Sequence, residues 1–264
     1  MKIATYNINS IRARAANLWQ WLKNYNPDIV FLQEIKCESK DFPYFECEAL
    51  GYKVAVFGQK SYNGVAVLSK YDFEITAKNL PTFQSDDSMR YLEILVKNGN
   101  SKFWAASVYA PNGCSPDKII EKEKLAYKLK WFDCLHTHIL SKMSSGIPFI
   151  IGGDFNVMMS PLDVYATEKF VGSPLYSKPV WDKINAIIYS GAHDAFRLLH
   201  PKDEGFTFWD YTGNSFVTNS GLRIDYIFVS AQFAERLIKC ETDKSLRMTD
   251  KPSDHTALTA EFEV

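Results

Sequence analysis

Two stretches, "PDIVFLQE" (27–34) and "PFIIGGDFN" (148–156), constrain the fold of this chain more than any other feature. Each leaves a proline, runs through bulky apolar residues and ends on an acid, Glu34 or Asp154. Such runs read as buried strands. Two of them imply central strands of packed sheets that deliver acids to one rim, and loops at strand ends are where catalytic groups ordinarily sit. In the second run Gly152 and Gly153 remove side-chain bulk, so something is expected to approach the backbone closely there. A strand continuing past the glycines would set Asp154 and Asn156 on one face.

Around these runs short β-rich stretches alternate with a few helices. "KIATYNI" reads as a first strand, and "SIRARAANLWQWLKNYN" as a helix with Leu18, Trp19 and Leu22 inward and Ser10 as its N-cap. "YKVAVFG", "GVAVLSK" and "YDFEITAK" read as a meander, with Asn63-Gly64 as a turn signal. "RYLEILVKNGNSKFWAASVYAPN" reads as a hairpin turning at Asn98-Gly99-Asn100. A long helix is expected from Pro116 to Met143, the proline in its first turn. Further strands are expected at 206–209, 223–229 and 256–263, and a helix near 180–190. The pattern fits an α+β sandwich with helices outside. No linker or shift in composition divides residues 1–264, so a single domain is expected.

Bulk properties narrow the function. A net charge of -1 counts against a protein that coats nucleic acid without specificity, while leaving a local basic face open. The five cysteines (37, 47, 114, 134, 240) lack CxxC spacing, which argues against a zinc site and for a reduced, cytoplasmic setting. No apolar run approaches the roughly 20 residues of a membrane span, and the first residues lack a signal-peptide pattern. No membrane partner is expected.

Several polar residues interrupt or end the apolar strands: Asn7 and Asn9 after the first, Glu34, Asp225 in "GLRIDYIFVS" and His255 in "KPSDHTAL". Singly they have ordinary explanations, Glu34 as a solvated edge charge and His255 as a hydrogen-bonded structural histidine. Asp225 is harder to dismiss, because a buried carboxylate needs a partner. Their shared position at strand ends or within strands points to one site.

In order along the chain, "TYNINSIRAR", "FLQEIKC", "YNGVAVLSK", "VYAPNG", "GGDFNV", "FTFWDY", "NSGLRIDYIFVS" and "KPSDHTAL" resemble the motifs of the exonuclease III family of abasic-site endonucleases. The likeness runs from residue 3 to about residue 260. "GDFN" and "SDH" also occur in related phosphodiesterases; the ordered set, with "GLRIDY" and "FTFW", points to the DNA-repair branch. The resemblance implies a four-layer α/β-β/α sandwich, deoxyribonuclease-I-like, and a divalent cation, Mg²⁺ with Mn²⁺ as a substitute. It implies Glu34 as the principal metal ligand, helped by Asn9, which stands where many relatives carry an acid, with Asp254 as a supporting or alternative ligand. It implies Asp154 as the group that activates water or protonates the leaving oxygen, with Asn156 orienting it. Tyr109, Asn112, Asn7 and His255 would contact the scissile phosphate, with Asp225 paired to His255. Phe208, Leu222 and Ile224 would form an apolar pocket for a base-less sugar, their alternative being ordinary core. Arg12, Arg14, Lys36, Arg90 and Arg223 would contact DNA phosphates or brace the acids.

The residue types suit the chemistry. A hard cation binds carboxylate and phosphate oxygens together. A histidine paired with a carboxylate has its charged form favoured and can donate to a phosphate oxygen. The implied activity is hydrolysis of the phosphodiester 5′ to abasic sites in duplex DNA, leaving a 3′-hydroxyl, in base excision repair. Exonuclease action from 3′ to 5′ and phosphatase or phosphodiesterase trimming of blocked 3′ ends would accompany it. The expected setting is a bacterial-type cytoplasm, nucleoid-associated through DNA, and the expected state a monomer. The alternative is another phosphodiesterase of the same fold, a general nuclease or an inositol or lipid phosphoesterase.

Overall fold

The structure, a computed structural model, describes residues 1–83, 87–99 and 101–263. Strand β1 (Lys2–Asn7) is followed by helix α1 (Ile11–Tyr25), and the chain returns parallel as β2 (Ile29–Gln33). Ile11, Leu18, Trp21 and Leu22 form the buried face of α1, and Trp19, half-buried, packs against the same cluster. Ser10 occupies the N-cap position with φ 88°, and its side chain makes no capping hydrogen bond.

After helix α2 (Tyr44–Ala49), strands β3 (Lys53–Phe57) and β4 (Val65–Ser69) extend the same sheet, β4 antiparallel to β2 and β3 antiparallel to β4. The expected meander breaks there. Both edges of β4 are taken by β2 and β3, so β5 (Asp72–Lys78) has no place beside β4 and joins the second sheet beside β6 (Tyr91–Asn98). Strand β6 pairs with β7 (Ser101–Tyr109); Gly99 turns between them at φ 57°, and Asn100 lies outside the described residues. Helix α3 (Lys118–Met143) starts after Asp117, whose carboxylate accepts from the N–H groups of Ile119 and Ile120. Pro116 therefore precedes the helix instead of sitting in its first turn.

Strand β8 (Phe149–Asp154) runs parallel to β7. Then come α4 (Lys178–Tyr189), β9 (His193–Asp194), α5 (Ala195–Leu199), β10 (Asp225–Val229), α6 (Ala231–Ala234), β11 (Leu237–Asp243) and β12 (Ala257–Phe262). No strand spans 206–209, where Phe208 makes only isolated bridges to Leu222 and His255. Strand β11 had no sequence signal strong enough to be expected.

Among the described residues the strands form two six-stranded sheets, ordered β11-β12-β1-β2-β4-β3 and β5-β6-β7-β8-β10-β9. Strand periodicity sorts β2: Ile29 and Phe31 enter the core shared by the sheets, while Val30 and Leu32 pack with Leu18 and Trp21 of α1. On the other side Trp131, Phe132 and Leu135 of α3, with Val180 and Ile184 of α4, cover Phe149 and Ile151. The architecture is the four-layer sandwich of the deoxyribonuclease-I-like fold.

Two features fix how the sheets meet. A Cβ on Gly152 would lie 2.4 Å from Phe31 Cδ2, and one on Gly153 would lie 1.9 Å from Val108 O. What approaches the glycines is thus the facing sheet and the neighbouring strand. A buried polar strut also crosses the core: Gln33 Nε2 donates to Ser107 Oγ (3.0 Å), Ser107 Oγ donates to Leu32 O (2.9 Å), and Thr5 Oγ1 donates to Gln33 Oε1 (3.2 Å).

On the outer face of the second sheet Glu93 anchors α3. Its carboxylate stands 2.7 Å from His138 Nε2 and from Lys142 Nζ, and accepts from Thr76 Oγ1 (2.7 Å) and Tyr91 OH (2.8 Å). Burial alone would raise this carboxyl, but hydrogen bonds from His138, Lys142 and Thr76 outweigh it and hold Glu93 at about 2. Its contribution to stability is therefore complete above its ordinary value of 4.5 and is lost as the pH falls through about 2. Glu93→Gln is expected to destabilise the fold by about 3–5 kcal/mol in urea titrations at neutral pH, the scale for breaking a buried ion pair. The variant should also flatten the acid limb of stability against pH; an unchanged limb would show that Glu93 does not set it.

Candidate active site

The ends of β1, β2 and β8 bring three polar residues to one mouth of the sandwich. Asn7 closes β1 and is fully buried. Its Nδ2 donates to Glu34 Oε1 (2.9 Å) and to Asp154 Oδ2 (3.0 Å), so one amide touches the acids of both sheets. Just beyond β1 and β2 the backbone enters the left-handed region at Asn9 (φ 47°), Glu34 (φ 49°) and Lys36 (φ 51°). Non-glycine residues adopt it at a cost of order 1 kcal/mol or more, and such residues cluster at functional sites. Parallel pairing continued past the strands holds them there: Ile8 N–H donates to Gln33 O (3.1 Å), Ser10 N–H to Glu34 O (2.7 Å) and Ile11 N–H to Ile35 O (3.1 Å).

Strand β8 stops at Asp154, and Asn156 is itself left-handed (φ 52°), so the two do not share a strand face as the sequence pattern implied. Instead the Asn156 N–H donates to Asp154 Oδ1 (2.9 Å). The Asn156 side chain donates to Ala110 O (3.0 Å) and accepts from Asn112 Nδ2 (3.0 Å).

His255 stands just before β12, with Nδ1 2.8 Å from Asp225 Oδ2 and Nε2 3.7 Å from Asp154 Oδ2. Burial disfavours the charged ring, but Asp225 overcomes it and holds His255 up at about 10, an imidazolium at neutral pH. Asp154 moves away from the usual carboxylate range. Burial, opposed by His255 and reinforced by Asp225 and Glu34, pushes it up to about 7. Glu34 would also rise on burial, but the hydrogen bonds from Asn7 and Lys36 leave it below the usual carboxylate range. Tyr109, at the end of β7, is lifted well above the ordinary phenol value by burial and by the charges of Glu34 and Asp154. Its hydroxyl therefore remains a donor.

The oxygens at this mouth already converge on a cation. Lys36 Nζ lies 2.8 Å from Glu34 Oε2 and donates to Asn9 Oδ1 at 2.6 Å. Asn9 Nδ2 in turn donates to Asp254 Oδ1 (3.0 Å). Ligand atoms of Glu34, Asp154 and His255 also lie within 4.8 Å of one another. Oxygens of Glu34, Asn9 and Asp254 adjoin that grouping, and carboxylate and amide oxygens are the donors a hard divalent ion takes.

The remaining expected residues divide. Phe208 packs edge-on to His255, ring centroids 5.0 Å apart. Leu222 and Ile224 lie beside it in a cluster with Met158, Leu175 and Tyr176 and are almost wholly buried. Arg90 stacks on the Tyr109 ring at 4.8 Å, and Arg12 is exposed in the first turn of α1. Arg223 cannot serve as a DNA contact. It is buried, with Nε donating to Asp163 Oδ1 (2.7 Å) and Nη1 to Asp194 Oδ2 (2.8 Å), because two carboxylates inside the protein neutralise it.

Two contributors escaped the sequence reading. Tyr211 OH accepts from Arg14 Nη2 (2.9 Å) and Asn9 Nδ2 (3.3 Å), bracing the loop that carries Asn9 from a segment without periodicity. Lys128 lies buried on the apolar stripe of α3, and a lysine in such a stripe was the available signal.

Exodeoxyribonuclease III of Haemophilus influenzae is 33% identical, the match covering 99% of this chain and 100% of that protein. DNA repair nuclease APEX1 of Danio rerio is 25% identical over 98% of this chain and 81% of its own length. Among solved structures, a variant of the 3′ phosphatase NExo from Neisseria, bound to a product DNA hairpin, superposes with a TM-score of 0.91 at 31% identity, all of both chains covered. An AP endonuclease from Archaeoglobus fulgidus gives 0.90 at 32%, again with full coverage of both. Residues 4–255, which include every group at this mouth, match the endonuclease/exonuclease/phosphatase family, and the chain is a member of it.

Proposed function

We propose that this chain is a metal-dependent phosphodiester hydrolase of base excision repair, cutting duplex DNA 5′ to abasic sites to leave a 3′-hydroxyl. The same site would act on 3′ ends, as a 3′-to-5′ exonuclease and in removing blocking groups, because each reaction cleaves a phosphoester beside a 3′-oxygen. The observation that carries the reading is Asp154, buried and held by Asn156 N–H on one oxygen while the other faces Asn7 and His255. Relatives whose names place them on DNA support that polymer as the substrate.

In this reading Asp154 takes the proton of the attacking water or returns one to the leaving oxygen. Its value of about 7 suits either direction near neutral pH. His255, oriented through Nδ1 by Asp225, presents Nε2–H to a phosphate oxygen, joined by the neutral donors of Tyr109, Asn7 and Asn112. Glu34, Asn9 and Asp254 would hold Mg²⁺, or Mn²⁺ in its place, which when bound supplies positive charge against the growing phosphoryl oxyanion. Phe208, Leu222 and Ile224 form the apolar wall for a base-less sugar, which enters because no base must be accommodated. Lys36, Arg12 and Arg90 meet the DNA backbone. Residues 1–264 act as one catalytic domain and as a monomer, every proposed group coming from a single chain.

The test is a duplex carrying one abasic analogue, incubated with and without Mg²⁺. Asp154→Asn is expected to bind this duplex like the parent but to cut it about 10²–10⁴-fold more slowly, the usual worth of a general acid or base. Undiminished cutting would remove Asp154 from its role. Glu34→Gln is expected to raise the Mg²⁺ concentration for half-maximal nicking by about 10–100-fold, a scale seen even for groups that only support metal ligands. Chelation should abolish nicking in both proteins, and an unaltered Mg²⁺ dependence in the variant would place the cation elsewhere.

A further inference from the structure

Helix α3 turns a stripe of Trp131, Phe132, Leu135 and Ile139 toward the second sheet, and Lys128 continues that stripe. The lysine is wholly buried. Its ammonium donates to three backbone carbonyls: Asn156 O at 2.6 Å, Pro174 O at 2.8 Å and Asn112 O at 3.0 Å. An ammonium has three N–H donors, so the acceptors match it one for one; a neutral amine would leave one carbonyl unpaired. Burial draws Lys128 down to about 7, yet this complement of acceptors favours the charged form.

The three acceptors belong to three different segments. Asn112 lies in the loop after β7, and its side chain bonds that of Asn156. Asn156 lies just past β8, and its N–H fixes Asp154 Oδ1. Pro174 lies in the 158–176 segment, where the next residue, Leu175, accepts from Met158 N–H (2.9 Å) and packs with Leu222 and Ile224. Gly113 closes the arrangement at φ 86°: a Cβ there would meet Pro174 Cβ at 2.9 Å and Lys128 Cδ at 3.1 Å.

We propose that Lys128 is a positioning residue that ties the segments carrying Asn112 and Asn156 to the segment walling the Leu222–Ile224 pocket, holding hydrolytic group and recognition surface at one separation. The proposal rests on the functional reading above for what is cut, but not for the tether itself. Lys128 touches no reacting atom. It acts through the backbone of Asn112, which is placed on the phosphate, and of Asn156, which fixes Asp154.

Lys128→Met keeps the stem and removes the donors. Its affinity for the abasic duplex is expected to stay within about threefold of the parent, while kcat falls about 10²-fold, the scale of a 1 Å misplacement. Hydrogen exchange should accelerate at the N–H groups of Asn156 and Met158 and stay unchanged in β1 and β2. Gly113→Ala, which displaces stem and Pro174 without removing charge, should show the same signature in weaker form, and it carries the test if the methionine variant does not fold. A kcat within about threefold of the parent in folded protein, or exchange that accelerates evenly over both sheets, overturns the proposal. Exchange is read without substrate. A parent protein that fails to nick would sink the functional reading while the exchange pattern still decides the role of Lys128.

Discussion

The distance between the two sheets governs this molecule. Protein interiors are packed like crystals, and a layer set by side chains cannot be widened or narrowed without penalty. Here Phe31 lies against the bare backbone of Gly152, and Gln33 reaches across to Ser107, in each case only a few residues below the mouth. The span that Asn7 bridges between Glu34 and Asp154 is inherited from that packing. A residue on a free loop could drift; one at the end of a packed strand cannot.

Within the mouth, neighbouring acids are kept in different states by different surroundings. Glu34 has Lys36 and an amide donor, and stays ionised. Asp225 has His255. Asp154 has an amide donor, a backbone N–H and an imidazolium at 3.7 Å, with two other carboxylates nearby, and is the group whose proton is loosely assigned. Environments that drive apart the titration of similar groups are how one fold assigns distinct chemical roles to them.

The two apolar runs ending in Glu34 and Asp154 were legible because buried strands need continuous apolar sequence, and the layered α+β class followed from them. Local pattern failed where a choice depended on partners distant in the chain. Whether β5 pairs with β4 or leaves for the other sheet turns on which edges are free, which "YDFEITAK" does not encode. Asn156 departs from strand geometry because Asp154 Oδ1 captures its N–H. Arg223 looked available because arginines usually lie at the surface, and only the folded chain shows Asp163 and Asp194 around it. Glu34 and Asp154 were expected at one rim from their strands, whereas the convergence of Asn7 and His255 on them came through the ordered motifs, since spacing alone carries no information about a contact spanning 147 residues.

Strand β12 lies between β11 and β1, so the first sheet receives an inner member from residues 257–262, made after every other strand. Loop closure over nearly the whole chain must come before that pairing yields any return, a topology associated with slow folding. His255 arrives with the same segment. A growing polypeptide on the ribosome therefore holds Glu34 and Asp154 long before it holds Asp254 and His255, and competence to hydrolyse comes only with completion of the sheet.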